Sequence, residues 1–594
     1  MERPQRLQDQ LEGLEGSTRQ KGARLVLDLA MTAGAEKIIP VQHAHISGVS
    51  VLTGGHGLRR FLADLESQKG QGVCIPTTLN SAGCDAEKFE DMHIAVPGFL
   101  EAQFEIIHAY QSLGIQTTLS CTPYDRGIEL ESGIGSWAES NAVCYANTWS
   151  SLMTNRESGL SALATALTGF APEWGLHLSK HRQPNVLVHL ECDLHHLSDW
   201  SIFGDWIGKQ VRPDWHLPFG PMPYLIGAPA HMSFAMKKAL TAAAANYGTP
   251  MLWVHEHSTD GILELDEHGQ PTLNDGQWQG ILRFTEEDLR QRYDELAPKR
   301  PVDLVVIGCP QASLEEIRIT AASVRTFAEM SQRVQDDRLW VFTSRENYDL
   351  ALADGSIDIL EQAGVLILKD TCPEVTPYNR EKFNHLLTNS MKAEHYLTSG
   401  LNRLPTSVAT IHDCVKEAFQ PSQYDDNEKG ESIQTPPPIL QTTKVHQSNS
   451  YSSDGQGLLS QNDFSIVGKA LVTDVPITFL GYVNPDTGII EEEGHPLYGE
   501  SIKDSILIFP KGSGSTVAPY VLMGLLYTSK GPKAVINRDV CPLTLPACSL
   551  LGVPYGFGFE QDACLGINTG DTVRFERTGQ RVTLSVIQRI EESN

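Results

Sequence analysis

Short apolar runs alternate with longer segments of helical character through residues 1–419, and this alternation constrains the fold more than any other feature. The apolar runs are residues 115–119, 186–189, 251–254, 304–307, 339–343 and 365–368. Residues 313–329 are an example of a helical segment between two of them. Because a helix that follows a strand usually leads back to a parallel neighbour, the pattern predicts an α/β fold with largely parallel sheets.

The alternation stops between residues 420 and 462, where Pro436, Pro437 and Pro438 stand among many Ser and Gln residues. This segment has little apolar surface to bury, so we expect a flexible linker of roughly 40 residues with a reach on the order of 35 Å. From Phe464 onward, runs typical of strands return and end in a hairpin that turns at Gly579. The expected organisation is a large domain at 1–419, a linker at 420–462 and a small strand-rich domain at 463–594.

The charge balance and the cysteine content exclude several classes of protein. Forty-six basic and 73 acidic residues give a net charge of -27. No local basic patch offsets this charge, which argues against nucleic acid and anionic membranes as partners. Neither a secretory signal nor a membrane-spanning run is expected. Eleven cysteines without the dense spacing of a disulfide scaffold favour a reducing compartment, and we expect a cytoplasmic protein.

Three cysteines occur in similar local settings. Cys121, Cys309 and Cys372 each follow an apolar run closely and have a proline one or two residues later. They are therefore expected at the carboxyl ends of strands, where three thiolates can hold an iron–sulfur cluster and leave a coordination position open. Buried cysteines that bind nothing are the alternative, since cysteine is commonly buried. Cys74 and Cys541 have related settings, so spacing alone does not select the ligands.

Polar clusters supply further candidates for a site. Thr78 and Asn80 follow a predicted strand, and Ser140 and Asn141 belong to a second polar string, although helix caps and turns explain such residues equally well. A glycine-rich turn at residues 509–516 precedes a helix-like run and contains Ser515. Backbone N–H groups at such a turn could stabilise the Ser515 alkoxide and make it a base, with a plain serine cap as the alternative.

Histidines raise the alternative of a zinc site. His255 and His257 would share one face of a strand, but no carboxylate or cysteine partner can be assigned to them. The same holds for His189, His195 and His196.

Several of these motifs together resemble the aconitase X family. The resemblance is most specific at residues 139–142 (Glu-Ser-Asn-Ala) and 145–147 (Tyr-Ala-Asn), and it extends to residues 308–310, 370–373 and Lys392. In the C-terminal part it rests on residues 495–499, 569–571 and the turn that contains Ser515. It implies an aconitase-like multi-layer body, here fused to a smaller swivelling domain that occurs as a separate chain in archaeal relatives.

The resemblance also implies functional roles. Cys121, Cys309 and Cys372 would ligate an iron–sulfur cluster, 2Fe-2S or 4Fe-4S, and Ser515 would be the catalytic base. The residues expected around the cleft are Lys392, Thr78, Asn80, Ser140 and Asn141. Relatives commonly have an arginine in the glycine-rich turn, where this chain has Ser513, so Lys511 is the nearby cation considered for substrate binding.

The expected activity is that of a hydro-lyase acting on a small β-hydroxy acid. Cis-3-hydroxy-L-proline is favoured as substrate because the fused architecture resembles that branch and the turn arginine is missing. Mevalonate 5-phosphate, or a hydroxy acid of a specialised pathway, is the alternative substrate. A noncatalytic iron–sulfur regulatory protein is the alternative of another class, and the net charge of -27 argues against RNA binding in that case.

Overall fold

The structure is a computed structural model, and it describes most of the chain. The described residues are 1–67, 72–125, 133–212, 215, 217–255, 257, 263, 271, 278–330, 332–334, 338–399, 401–422, 450–513 and 515–590. Most of the predicted linker, residues 423–449, lies outside this part, and so does Gly514 of the glycine-rich turn. Among the residues described, none of the helices combines the length and apolar character needed to cross a membrane.

The first domain, residues 1–181, surrounds a four-stranded parallel sheet with the order β3-β2-β4-β5. Its helices are α1 (Gln5–Leu11), α2 (Ser17–Thr32), α3 (Val51–Glu66), α4 (Phe99–Ser112), α5 (Ser140–Trp149) and α6 (Gly159–Thr168). Its strands are β1 (Ile38–Pro40), β2 (His43–Ile46), β3 (Thr77–Leu79), β4 (Gly133–Trp137), β5 (Leu152–Arg156) and β6 (Phe170–Pro172). Buried Leu, Val and Ala side chains of α2, α3 and α6 form its apolar core.

The second domain, residues 186–296, contains a parallel sheet with the order β10-β7-β8-β9. Its elements are β7 (Val186–Leu190), α7 (Leu197–Lys209), β8 (Pro223–Ile226), α8 (Phe234–Ala244), β9 (Trp253–Val254), β10 (Gly280–Phe284) and α9 (Glu286–Leu296). All five residues of β7 are buried, as expected for a central strand of a parallel sheet.

The third domain, residues 302–419, is a five-stranded parallel sheet with the order β13-β12-β11-β14-β15. Its strands are β11 (Leu304–Ala312), β12 (Leu339–Thr343), β13 (Leu366–Lys369), β14 (Leu386–Thr388) and β15 (Thr406–Val408). Its helices are α10 (Leu314–Ala328), α11 (Arg345–Ala353), α12 (Ser356–Gln362), α13 (Met391–Ser399) and α14 (Ile411–Phe419). The predicted α/β class with parallel sheets is confirmed.

One predicted strand is wrong. Residues 115–119 form no strand and make only an isolated bridge, between Gln116 and Thr78. The segment stays beside β3, but the hydroxyl of Thr118 replaces its backbone in the hydrogen bonds to Leu79, and Leu119 is left-handed with φ of 46°, so no regular ladder forms.

The C-terminal domain, residues 450–590, contains a closed barrel with the order β16-β22-β21-β19-β17-β23-β24. Its strands are β16 (Ser452–Gly457), β17 (Phe464–Val472), β18 (Ile477–Thr478), β19 (Ile506–Phe509), β20 (Gly512–Ser513), β21 (Ala534–Asn537), β22 (Tyr555–Phe557), β23 (Thr572–Thr578) and β24 (Arg581–Gln588). Its helices are α15 (Ala518–Tyr527), α16 (Leu545–Leu551) and α17 (Ala563–Gly566).

The boundary expected at residue 462 differs from the structure, because β16 already belongs to the barrel and pairs with β24 and β22. This strand has the sequence Ser-Ser-Asp-Gly-Gln-Gly and contains no apolar side chain. Its pairing therefore comes from distant partner strands, and composition alone placed it in the linker.

The C-terminal domain docks on the first domain through a shared apolar core that contains residues of both. Helices α3 and α15 cross at Gly57 and Gly524, where a Cβ atom added to Gly57 would lie 2.4 Å from the backbone nitrogen of Gly524. Polar contacts accompany the crossing: Thr516 Oγ1 donates to the Ala138 carbonyl at 2.9 Å, and Tyr520 donates to the Ser47 carbonyl at 3.3 Å. This docking places the start of α15 against the first domain.

Candidate functional site

A cavity lies where the first, third and C-terminal domains meet. It is narrow, about 30 Å³ in volume, and partly open to solvent. Six of the predicted site residues line it: Asn80, Cys121, Cys309, Cys372, Lys392 and Ser515. The structure therefore brings together residues that are almost 440 positions apart in the sequence, and four other predicted residues lie outside the lining.

A left-handed residue precedes each of the three cysteines. Leu119 and Asp370, with φ of 46° and 64°, stand two positions before Cys121 and Cys372, and Gly308, with φ of 106°, stands directly before Cys309. Cys372 follows strand β13 as predicted, whereas Cys309 lies within β11 and Cys121 follows no strand. The turns direct all three side chains into one cavity even though the predicted strand ends are only partly present.

The thiols are buried and lie close to one another. Cys121, Cys372 and Val375 form a small apolar cluster. Burial raises the pKa of the Cys121 thiol, and the neighbouring Cys372 raises it further. Burial likewise raises the pKa of Cys309, the neighbouring Cys372 raises it further, and Lys392 opposes both effects. In this environment the thiols of Cys121 and Cys309 stay protonated unless a metal displaces their protons.

The donor set fits a metal–sulfur group in chemistry. Three soft sulfur ligands face one cavity, and the backbone N–H of Gln311 donates to Cys121 Sγ at 3.3 Å, a contact suited to a negatively charged sulfur. Within the described ranges no three His, Cys, Asp or Glu side chains already stand at the spacing of metal ligands. This applies equally to the histidines considered for zinc, so the structure offers that alternative no support.

Lys392 carries the positive charge of the cavity. Its Nζ lies 2.6 Å from Glu139 Oε1 and 3.8 Å from Glu374 Oε2, and its side chain is only 3% exposed. Burial alone would lower the pKa of Lys392, but the two carboxylates outweigh it and raise the pKa well above its usual value. Lys392 is therefore a permanently charged group at the cavity wall.

The two carboxylates beside Lys392 differ in their pKa values. Burial opposes ionisation of Glu139, yet Lys392 and the amides of Asn141 and Asn80 outweigh it and lower the Glu139 pKa to about 2. Burial raises the pKa of Glu374 to about 7, against the opposing effect of Lys392. Neither carboxylate was among the predicted site residues, although Glu139 directly precedes Ser140 and Glu374 follows Cys372 by two positions.

Three predicted substrate-binding residues form the support of this wall. Asn80 Nδ2 donates to Glu139 Oε2 at 2.8 Å and also lines the cavity. Asn141 donates to Glu139 Oε1 at 2.7 Å and to the Cys121 carbonyl at 3.2 Å, so it links the charged pair to a cysteine. Ser140 accepts a long hydrogen bond, 3.4 Å, from Lys392. Ser140 and Asn141 stand behind the lining.

Two predicted substrate-binding residues lie away from the cavity lining. Thr78 is buried and its hydroxyl contacts His45 Nδ1 at 2.8 Å, so it supports the sheet beneath the site. Lys511 is exposed. It precedes the short strand β20, in which Gly512 is buried. Placing Lys511 beside the substrate on the basis of its proximity in sequence is therefore not supported by its position.

Ser515 is half-buried and lies two residues before the N-cap of α15, Val517. Its hydroxyl accepts a long hydrogen bond, 3.5 Å, from the backbone N–H of Val517, and its carbonyl accepts one from Ala518 at 3.0 Å. The serine is thus a weak helix cap whose side chain also borders the cavity. Ser513 contacts the hydroxyl of Thr478 at 2.9 Å.

A body of parallel sheets, a docked barrel domain and a cavity with three thiols and a lysine between them define the class of protein. Family models agree: the aconitase X first domain matches residues 4–180, the third domain residues 302–420 and the swivel domain residues 459–584. The chain therefore belongs to the aconitase X family.

Similar proteins with known activities are dehydratases. The phosphomevalonate dehydratase large subunit of Methanothermobacter thermautotrophicus is 33% identical over 389 residues, which cover 65% of this chain and 91% of that protein. The cis-3-hydroxy-L-proline dehydratase of Pseudomonas aeruginosa is 30% identical over 424 residues, covering 69% of this chain and 68% of that protein. A crystal structure of Thermococcus kodakaraensis aconitase X superimposes with a TM-score of 0.61 at 28% identity, covering 70% of this chain and all of that one.

A separate small subunit corresponds to the C-terminal domain. The phosphomevalonate dehydratase small subunit of Methanocella arvoryzae is 41% identical over 118 residues, which cover 20% of this chain and 89% of that protein. This chain thus combines in one polypeptide two parts that occur as separate subunits in archaea. These likenesses support an enzyme of the dehydratase class.

Proposed function

We propose that this chain dehydrates a small β-hydroxy acid that carries a cationic nitrogen, with cis-3-hydroxy-L-proline as the substrate. The observation that supports this choice is the charge of the cavity. Among the described residues that line it, the charged ones are Lys392, Glu139 and Glu374. The carboxylate of a zwitterionic substrate can pair with Lys392. Its ammonium can pair with Glu374, which lies farther from Lys392 than Glu139 does.

The proposed roles of the chain's own residues follow from their positions. Lys392, held by Glu139 at 2.6 Å, neutralises the substrate carboxylate and stabilises the negative charge that develops when the adjacent carbon loses its proton. Ser515 Oγ, as an alkoxide that the Val517 N–H at the start of α15 stabilises, takes that proton and becomes a neutral hydroxyl, which then gives the proton to the departing hydroxide. The carbon–oxygen bond of the hydroxyl then breaks, a carbon–carbon double bond forms, and water leaves.

The three cysteines would hold the cofactor. Cys121, Cys309 and Cys372 are the proposed ligands of an iron–sulfur cluster, supported by the cavity that they share and the N–H donor at Cys121. When bound, such a cluster supplies a Lewis acid for the departing hydroxyl group. Val375 and Val517, the N-cap of α15, supply apolar lining to the same space.

Mevalonate 5-phosphate is the second candidate, because phosphomevalonate dehydratase subunits are among the similar proteins. This substrate carries a carboxylate and a phosphate and would need a second cation. The position where relatives commonly have arginine holds Ser513, which contacts Thr478, and Lys511 is exposed. A cavity lined by two carboxylates and one ammonium therefore favours the zwitterion.

The test is turnover after anaerobic purification and cluster reconstitution. Cis-3-hydroxy-L-proline, its trans isomer and mevalonate 5-phosphate are offered separately, and the unsaturated product is detected by mass spectrometry. We expect turnover of the cis isomer. Turnover of mevalonate 5-phosphate alone would overturn the substrate assignment, and the absence of turnover with any hydroxy acid would favour the noncatalytic iron–sulfur protein.

Ser515→Ala tests the assignment of the base within the same assay. The variant should retain the iron content of the wild type and lose dehydration by about 100-fold, the lower scale of general-base effects. Ser513→Ala is the matched control, because its hydroxyl contacts Thr478 and does not line the cavity. Equal turnover by both variants would make another residue the base.

A further inference from the structure

The side chain of Gln311 is connected to all three cysteine segments at once. It is fully buried, two positions after Cys309. Its Oε1 accepts from the backbone N–H of Cys121 at 3.1 Å. Its Nε2 donates to the carbonyls of Leu119 at 3.1 Å and Thr371 at 3.0 Å, and more weakly to Thr343 at 3.2 Å. The Gln311 carboxamide therefore contacts Thr371, the residue before Cys372. It also contacts Leu119 and Cys121, the two ends of the turn that leads to Cys121.

These hydrogen bonds hold backbone that is not favoured by itself. Leu119 adopts a left-handed conformation, and so does Asp370, the residue before Thr371. Side chains with a Cβ atom rarely adopt this conformation unless the surroundings stabilise it. The Gln311 amide binds the carbonyl oxygen of the left-handed Leu119 and that of Thr371, which follows the left-handed Asp370. It therefore stabilises the two turns that direct Cys121 and Cys372 into the cavity.

The backbone of Gln311 adds a contact to sulfur itself. Its N–H donates to Cys121 Sγ at 3.3 Å, while its side chain accepts from the N–H of the same cysteine. On the opposite side, its carbonyl accepts from the buried ammonium of Lys238 at 2.6 Å. The residue is thus fixed from both directions, and its side chain is absent from the lining of the cavity.

We propose that Gln311 is a positioning residue that sets the mutual arrangement of the three thiols for binding a metal–sulfur group. It acts through the cysteines and does not touch the substrate. This inference rests on the cysteine site of the proposed function. In this role, one amide side chain fixes the relative positions of the three separate chain segments that carry the cysteines.

Gln311→Glu is the informative variant, because it keeps the shape of the side chain and replaces two N–H donors with an oxygen. Three carbonyl oxygens then face a carboxylate oxygen, and the turns before Cys121 and Cys372 lose their common donor. Gln103→Glu is the matched control. Gln103 is also a buried amide bonded to backbone, at Val49, Val51 and Gly83, and these three residues lie outside the segments that carry Cys121, Cys309 and Cys372.

The measurement is Cd²⁺ titration of the iron-free, reduced chain, followed by cadmium–thiolate absorption. Cys309→Ser identifies the part of the signal that belongs to the cavity. We expect Gln311→Glu to weaken that part of Cd²⁺ binding by about 10- to 100-fold, the range for residues that orient metal ligands. Gln103→Glu should bind Cd²⁺ as the wild type does, and circular dichroism confirms that each variant is folded.

The outcomes distinguish the role of Gln311 from the existence of the cysteine site. Wild-type affinity in Gln311→Glu, with a signal that Cys309→Ser removes, would overturn the role of Gln311 and leave the cysteine site intact. A wild-type signal that Cys309→Ser does not change would overturn the cysteine site and this inference with it. If Gln311→Glu does not fold, Gln311→Met replaces it, since methionine has a similar length and removes the amide donors without adding a charge. The same loss of cadmium affinity is then expected.

Discussion

Lys392 and Glu139 form a charged pair with little access to water, since their side chains are 3% and 12% exposed. Taking both charges out of water is costly, so such a pair is kept in place by further hydrogen bonds. Asn80 and Asn141 provide them at 2.8 and 2.7 Å from the Glu139 carboxylate. At the scale of single residues, Asn80 and Asn141 therefore act mainly by holding the Glu139 carboxylate beside Lys392.

Glu139→Gln should destabilise the metal-free chain by about 3 kcal/mol at neutral pH. This is the lower end of the range for removing one partner of a buried pair, because Glu374 remains 3.8 Å from Lys392. The folded-state pKa of Glu139, about 2, lies below its ordinary value of 4.5. Its stabilising effect is therefore fully present above pH 4.5 and is lost as the pH falls toward 2.

Urea unfolding of the wild type and the variant at pH 7 and pH 3 measures this difference. Exposed Glu381→Gln is the control and should change stability by no more than about 0.5 kcal/mol. A stability difference for Glu139→Gln that is the same at both pH values would show that the carboxylate charge is not the cause.

The strands of the third domain could be predicted from the sequence because continuous apolar runs occur where a strand is buried on both faces. Residues 304–307, 339–343 and 365–368 all lie within or almost within β11, β12 and β13. Strand β16 could not be predicted, because its polar residues are held by pairing with β24. The run at residues 115–119 was misleading, because the hydroxyl of Thr118, and not its backbone, makes the hydrogen bonds to Leu79 of β3.

The crossing of α3 and α15 determines how closely the small domain can approach. Gly57→Ala should destabilise the fold by about 1–3 kcal/mol, since its new methyl group would meet the backbone of α15 at 2.4 Å. Gly524→Ala, on the facing helix, is the matched control, because its Cβ would lie 3.3 Å from the nearest atom of Gly57. Denaturant unfolding and turnover should both rank Gly57→Ala as the more harmful, and the reverse order would contradict this geometry.

At the scale of the whole molecule, the site exists only when the two parts of the chain are docked. The cysteines and Lys392 come from the body, whereas Ser515 comes from the barrel domain. From the sequence, the family resemblance indicated these members, but Glu139, Glu374 and Gln311 could not be assigned. Their roles depend on partners such as Lys392, which lies 253 positions from Glu139. Spacing along the chain carries no signal for contacts of this kind.

The composition of residues 423–449 predicts cleavage there before either domain is cut. Because one apolar core contains residues of both domains, the two fragments should stay associated after cleavage. Limited proteolysis followed by size-exclusion chromatography tests this expectation. Elution of the fragments as separate species would show that the shared core is too weak to hold the domains together.

The thiol-lined cavity is the proposed active site of a hydro-lyase. The most direct measurement compares the rate of cis-3-hydroxy-L-proline dehydration by Cys372→Ser and Cys84→Ser, both reconstituted anaerobically. Cys84 is buried in the same apolar cluster as Cys309 but does not line the cavity. We predict that Cys84→Ser keeps turnover of the same order as the wild type and that Cys372→Ser has none that can be measured. Equal turnover by the two variants would show that the thiol-lined cavity is not the active site.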